Sequence, residues 1–315
     1  MAVRPDSPRA EGSSSPQKPK VIYVMGQGKS GSTILGVALG NCDGVFFAGE
    51  LCTWLMNAGT PVLGGSERTR FWQEVRLKVE GASELFGGRA FNLLERSLSA
   101  IRVDRFPAQA RLRGRYREVT EGLYRAIAER AQATHVVDTS HLPLRARELQ
   151  DMDGIDLYLV FLVRNTESVV ASYTRHVKTR EVAERRWRFF VINVHLWVTY
   201  VLSVLVFLRQ PQERRMLVHH EDFVANPEGV LRELLEFAGS SAELPDLSTL
   251  RTGIPLKANA LVRSEVVALK AKAAAPHRSS RMMQMIQRPW TMILGRLRPV
   301  ATGIRAPEPE GRGAS

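Results

Sequence analysis

Lys20-Val21-Ile22-Tyr23-Val24-Met25-Gly26-Gln27-Gly28-Lys29-Ser30-Gly31-Ser32-Thr33 leads without a break into Ile34-Leu35-Gly36-Val37-Ala38-Leu39. The segment Lys20 to Met25 is rich in β-formers, glycines punctuate Gly26 to Thr33, and the apolar run after Thr33 has helical character. The stretch therefore reads as strand, glycine loop, helix. Glycines let the backbone bend tightly, and the first N–H groups of a helix lie unpaired at the positive end of its dipole. Such a turn holds a phosphate with few side chains. Lys29, Ser30, Ser32 and Thr33 add charge and hydroxyls. A nucleoside-triphosphate P-loop reads G-x-x-x-x-G-K-[ST]. Counted from Gly26, Gly31 stands where the second glycine belongs, but Ser32 stands where the lysine should, and Lys29 comes three places early. The usual lysine grips the β- and γ-phosphates and its neighbouring hydroxyl holds Mg²⁺. The shift argues for a donor with fewer phosphates and no metal.

Outward from this loop, apolar strands alternate with helical segments, the pattern of an α/β fold with a parallel sheet. Val45 to Ala48 follows the turn Asn41 to Gly44 and ends at Gly49-Glu50. Thr134 to Asp138 is a third strand, closed by Thr139-Ser140-His141-Leu142-Pro143. Asp156 to Val163 is an almost unbroken apolar run, as expected of a strand covered on both faces, and Arg164 ends it. Ligands of open parallel sheets lie beyond the carboxyl ends of strands, which puts Glu50 beside the phosphate loop. Asn165-Thr166-Glu167 starts a helix on which Ser168 and Ser172, one turn apart, share a face, so Arg164 and Ser172 can converge. A planar guanidinium fork suits a phosphate. Plain structural alternatives stand beside these readings. Glu50 can be a solvated helix-start carboxylate, Thr139 or Ser140 a helix cap, and Arg164 and Ser172 surface residues.

Lys29-Ser30-Gly31-Ser32-Thr33 resembles the lysine (or arginine)-Ser-Gly-Thr-Thr loop of sulfotransferases that use 3′-phosphoadenosine 5′-phosphosulfate, PAPS. The apolar strand before Arg164-Asn165, with Ser172 eight places after the arginine, resembles the family's second signature, which grips the 3′-phosphate. Thr166 stands where proline is usual there. The chain resembles the bacterial type of the family, and its Asp43-Gly44 turn, strand and Gly49-Glu50 resemble the branch that includes tyrosylprotein sulfotransferases, in which the glutamate is the catalytic base. His219 to Glu228 and the helix Gly229 to Ala238 resemble an architectural module of the family. There are two departures. His141 stands where the Asp-Ser-Ser-Lys element of bacterial members has lysine, and the loop around Lys257, Asn259 and Arg263, which in the family touches the nucleotide's phosphate, lacks its Gly-Asn core.

This resemblance implies an α/β, P-loop-like three-layer fold with a mainly parallel sheet and inserted helices. It implies PAPS as co-substrate, no metal, and Gly28, Lys29, Ser30, Gly31, Ser32, Thr33, Arg164, Ser172 and Arg263 as nucleotide-binding residues. Glu50 is the implied general base, and Lys29 neutralises charge on the leaving phosphate. The acceptor is a small-molecule, carbohydrate or lipid-linked hydroxyl. The rival readings are a nucleoside or small-molecule kinase and a non-catalytic membrane-surface protein.

The 315 residues suit one main α/β domain, expected over residues 20–270. A Ser- and Pro-rich lead at 1–19 is expected to be disordered. A basic segment at 271–315 is expected to hold a Met- and Leu-containing helix before it frays. Lys+Arg of 44 against Asp+Glu of 32 gives +12, which favours polyanionic ligands or anionic membrane surfaces. Zinc-finger spacing, an RNA-binding aromatic signature and heptads are all absent, which sets nucleic acid aside. Two cysteines, Cys42 and Cys52, make no disulfide framework and point to a reducing, cytoplasmic compartment. The lead has no apolar run that would serve as a signal or anchor. His219 and His220, neighbours on a candidate strand, point to opposite faces and make no metal pair. Residues 66–132 carry helical periodicity and many arginines, either as a solvated face or as an acceptor lid. Phe189 to Leu208 carries no formal charge apart from any on His195, over about one membrane span. Crossing would separate the strand before Arg164 from the candidate strand Met216 to His220. The segment is therefore a core helix, as helices apolar all round usually are, or, behind Arg185-Arg186-Trp187-Arg188, a helix resting on an anionic leaflet.

Overall fold

The computed structural model describes residues 18–165, 168–169, 182–269 and 281–296. Strand β1 (Lys20–Gly26) lies at the centre of a five-stranded parallel sheet in the order β2-β3-β1-β4-β5. The other strands are β2 (Val45–Gly49), β3 (His135–His141), β4 (Asp156–Val163) and β5 (Arg215–His219). β4 pairs with β1 from Lys20↔Asp156 to Gly26↔Leu162, and with β5 from Leu159↔Arg215 to Val163↔His219. One sheet therefore holds both strands that a membrane crossing would have separated.

Alternation along β1 builds the two flanking layers. Val21, Tyr23 and Met25 face a core shared with α2 (Ser66–Lys78), α3 (Phe106–Ala131), α4 (Pro143–Gln150) and α5 (Val182–Arg209). Ile22 and Val24 face a second core made with α1 (Ser32–Leu39), α6 (His220–Ala225) and α7 (Pro227–Phe237). Helix α7 shows how local sequence sets an element. Asn226 Oδ1 accepts the Gly229 N–H at 3.1 Å, Pro227 occupies the first turn, and Leu231, Leu234 and Leu235 bury one face.

Three expectations are corrected. β3 continues to His141, so Thr139 and Ser140 are strand residues, and α4 starts at Pro143 without a side-chain cap. The reason is tertiary: Asp138 takes the backbone N–H and hydroxyl of Ser140 and also Arg145, which keeps the strand end buried. His219 closes β5, whereas His220 opens α6, so the two histidines are not strand neighbours. The segment 189–208 is not buried all round. In α5, Leu196, Tyr200, Ser203, Val206 and Phe207 are buried, while Phe190, Val194, Val201, Leu205 and Leu208 are exposed. No helix among the described residues is long and apolar enough to cross a membrane. A short antiparallel pair, β6 (Leu250–Arg251) with β7 (Val266–Val267), flanks a return segment to the end of β2. α8 (Arg281–Arg296) packs Trp290 edge-to-face against Trp197 and tilted against Tyr200 of α5.

The lead at 1–17, the segment 270–280 and residues 297–315 lie outside the described residues.

Candidate active site

All five parallel strands end on the same side of the sheet, and each delivers a residue there. β1 runs into the glycine loop, β2 into Glu50, β3 ends on His141, β4 is followed by Arg164, and β5 by His220. This is the crevice in which an open parallel sheet binds ligands.

The loop is built from left-handed backbone. Lys29 has φ 71° and Gly31 φ 97°, and Ser30 N–H closes a turn to Gln27 O at 3.2 Å. A non-glycine residue held there signals local strain over-determined by its surroundings. One such determinant is Arg164, whose Nη1 donates to Lys29 O at 2.8 Å. Gln27 is a second, since its buried Nε2 donates to Leu196 O of α5 at 3.3 Å. Gly31 is required for closeness as well as for φ, because a Cβ there would lie 2.5 Å from Nδ1 of His220. Two buried polar atoms at this loop, Ser30 Oγ and His220 Nδ1, have no partner among the described residues. Buried polar atoms are nearly always satisfied, so the pair marks a place where a polar ligand fits. Burial, reinforced by Arg164 and opposed by Glu221, holds the His220 imidazole below its ordinary range. The nearby Glu221 Oε1 accepts the Asn165 N–H at 3.0 Å, and Asn165 Oδ1 in turn accepts the Ser168 N–H at 3.2 Å. The helix start read from Asn165 is therefore present.

Glu50 does not cap the 3-10 turn after it. Its Oε2 lies 2.8 Å from Lys257 Nζ. Beside it, His141 has φ 55°, its Nδ1 is 3.4 Å from Thr139 O, and burial holds it below the ordinary histidine range against the pull of Glu50 and with the help of Lys257. Helix α5 also borders the crevice, since Gln27 Nε2 donates to Leu196 O, and partial desolvation followed by the charges of Arg96 and His141 lowers the pKa of the neighbouring His195. Beneath these residues Ser140 Oγ accepts the Cys52 N–H at 2.9 Å and donates to Asp138. Arg145, 2% exposed, joins Asp138 at 3.1 Å to Glu95 at 2.7 Å, with Tyr116 sharing the nitrogen that meets Glu95 and Tyr124 on the remaining one. A buried charge needs that degree of pairing, and the network ties the turn after Glu50 to β3 and α4.

A family model described as "Sulfotransferase family" matches residues 19–243. The chain belongs to the sulfotransferase family. Among solved structures, this sulfotransferase is similar to the sulfotransferase domain from the curacin biosynthetic pathway, with 15% identity over 87% of this chain and 98% of that one, TM-score 0.50. It is also similar to the sulfotransferase domain of the Synechococcus PCC 7002 olefin synthase, with 17% identity over 88% and 97%, TM-score 0.49. At such identities the likeness is one of fold: an α/β sheet, mainly parallel, with helices on both sides. No curated protein matches the chain in sequence.

The sulfotransferase thus brings Lys29, Ser30, Gly31 and Arg164 together at one loop, with Glu50 on the far side of β3, beyond β1. Ser172 lies outside the described residues, and Arg263 is exposed on the turn Ala260–Arg263 with no side-chain bond among the described residues. Reasoning from sequence missed Gln27, His195, His220 and the pairing of Lys257 with Glu50. For His220 a signal existed, because it lies in the segment His219 to Glu228 that resembles a module of the family. No group of three or more metal-binding side chains occurs among the described residues.

Proposed function

We propose that this sulfotransferase moves a sulfuryl group from PAPS to an acceptor hydroxyl. The observation that carries the reading is the loop itself, in which Arg164 holds the carbonyl of Lys29, a residue in left-handed backbone, while Ser30 Oγ and His220 Nδ1 stay buried without partners among the described residues. These atoms fit a phosphate-bearing donor. The acceptor oxygen forms a bond to sulfur as the bond from sulfur to the bridging oxygen breaks. Glu50 takes the hydroxyl proton, and Lys29 neutralises the charge left on the departing 3′,5′-phosphoadenosine. Gly28, Lys29, Ser30, Gly31, Ser32 and Thr33 serve the 5′-phosphosulfate, Arg164 and Ser172 the 3′-phosphate, and Arg263 an outer contact. Support for Glu50 as base comes from its likeness to the Gly-Glu element of the tyrosylprotein branch.

A kinase reading requires the lysine that Ser32 replaces, and an acidic Mg²⁺ holder where Arg164 follows β4. A thermal-shift panel separates the two. Without metal, 3′,5′-phosphoadenosine raises the melting temperature and 5′-AMP raises it much less. Equal shifts, or a requirement for Mg²⁺, overturn the donor assignment.

The exposed stripe Phe190, Val194, Val201, Leu205 and Leu208 of α5, the net charge of +12 and two buried free cysteines support a cytoplasmic enzyme that rests on an anionic leaflet and takes a lipid-linked or amphipathic acceptor. The purified protein then sediments with anionic vesicles but not neutral ones, and moderate salt releases it. Indifference to both vesicle types directs the search to a water-soluble acceptor.

A further inference from the structure

The return segment Ile254–Lys257 grips the end of β2 through backbone and side chain together. Leu256 N–H donates to Ala48 O at 2.9 Å, Glu50 N–H donates to Lys257 O at 2.7 Å, and Lys257 Nζ meets Glu50 Oε2 at 2.8 Å. Gly49, at φ 81°, permits the approach, since a Cβ there would lie 2.3 Å from Lys257 O. From the other side, Val62 N–H donates to Leu256 O at 3.0 Å and Trp72 Nε1 to Ile254 O at 2.9 Å, so the segment is anchored independently of any ligand. Among the described residues, Lys257 is the charged partner of Glu50. With 38% of the Lys257 side chain and 20% of the Glu50 side chain exposed, the pair is shielded but still open on one side to an incoming molecule.

We propose that Lys257 is a positioning residue for sulfuryl transfer, holding one carboxylate oxygen of Glu50 so that the other receives the acceptor's proton. The inference rests on Glu50 being the base. It departs from the phosphate-touching role that the resemblance gives to the loop around Lys257, because the ammonium is engaged at the carboxyl end of β2. The pairing also acts on Lys257: burial works to lower its pKa, but the hydrogen bond and charge of Glu50 outweigh it and leave it raised. A charge-assisted bond of this kind fixes a carboxylate rotamer that solvent would otherwise leave free. Misplacing a reacting group costs a large rate factor even where binding is untouched.

The test is a double-mutant cycle on the full chain, using sulfur-labelled PAPS with a cell-extract fraction as acceptor source and separate titration with 3′,5′-phosphoadenosine. Lys257→Met lowers kcat by about tenfold to a hundredfold, with nucleotide affinity unchanged. Lys257→Arg recovers most of the rate, since arginine still supplies a charged donor. In the Glu50→Gln background, Lys257→Met costs little more, because the group it positions is already gone. Lys257→Gln, the milder truncation, gives the same kcat loss and guards against a folding effect in the methionine variant. Weakened nucleotide binding with kcat preserved overturns the proposal, as does an equal loss in both backgrounds. Normal turnover in Glu50→Gln alone overturns the base assignment and this role together, whereas a slow Glu50→Gln with an additive cycle overturns the Lys257 role only.

Discussion

Replacing Glu50 by glutamine lowers turnover by about a hundredfold or more while 3′,5′-phosphoadenosine binds as before; this is the usual scale for loss of a general base. Glutamine matches glutamate in size, and its amide oxygen still accepts from Lys257, but it cannot take a proton at neutral pH. The backbone contacts of the turn do not depend on the carboxylate. Glu50 O accepts from Thr53 N–H and Oγ1, and Glu50 N–H donates to Lys257 O. Nucleotide affinity is preserved because the loop, Arg164 and His220 stand at the ends of β1, β4 and β5, whereas Glu50 follows the edge strand β2. Paired measurements of turnover and nucleotide affinity on the variant check this. Near-normal turnover assigns Glu50 to the structural role of pairing with Lys257 and transfers the base to His141, a titratable group beside it.

The strand, loop and helix from Lys20 to Leu39 were legible because every signal there is local: β-formers, then glycines, then a helical run. β4 was legible for a similar reason, an unbroken apolar run buried on both faces, and its bounds Asp156–Val163 coincide with those read from sequence. The end of β3 was not legible. Asp138, Thr139 and Ser140 look like the polar start of a turn, yet they are buried, because Arg145 and the distant Tyr124 satisfy Asp138, Cys52 N–H meets Ser140 Oγ, and Glu95 pairs with Arg145 on its other side. No window of sequence displays such partners. The same holds for the pair Glu50 and Lys257, brought together only when the segment after β6 folds back on β2. Helix α5 was legible as a helix, but composition could not say that packing covers Leu196, Tyr200 and Phe207 and leaves Phe190, Val201 and Leu205 in solvent.

The expected effect of largest size is all or none: sulfur label passes from PAPS to an acceptor, and phosphorus label from ATP does not. The displaced Lys29, the arginine rather than a carboxylate directly after β4 and the basic fork of Arg164 all favour a donor whose phosphates are gripped without metal. Family membership carries sulfuryl transfer in general, so the identity of the donor is the decisive point. The most direct measurement incubates the purified chain, without divalent metal, with sulfur-labelled PAPS and fractionated cell extract, and follows both label on product and release of 3′,5′-phosphoadenosine. Glu50→Gln protein serves as the blank. Labelled product and 3′,5′-phosphoadenosine are expected in equal amounts, with the blank lower by about a hundredfold. PAPS left intact by every fraction, while Mg²⁺ and γ-labelled ATP give a phosphorylated product, would contradict PAPS as the donor and a sulfuryl group as the cargo.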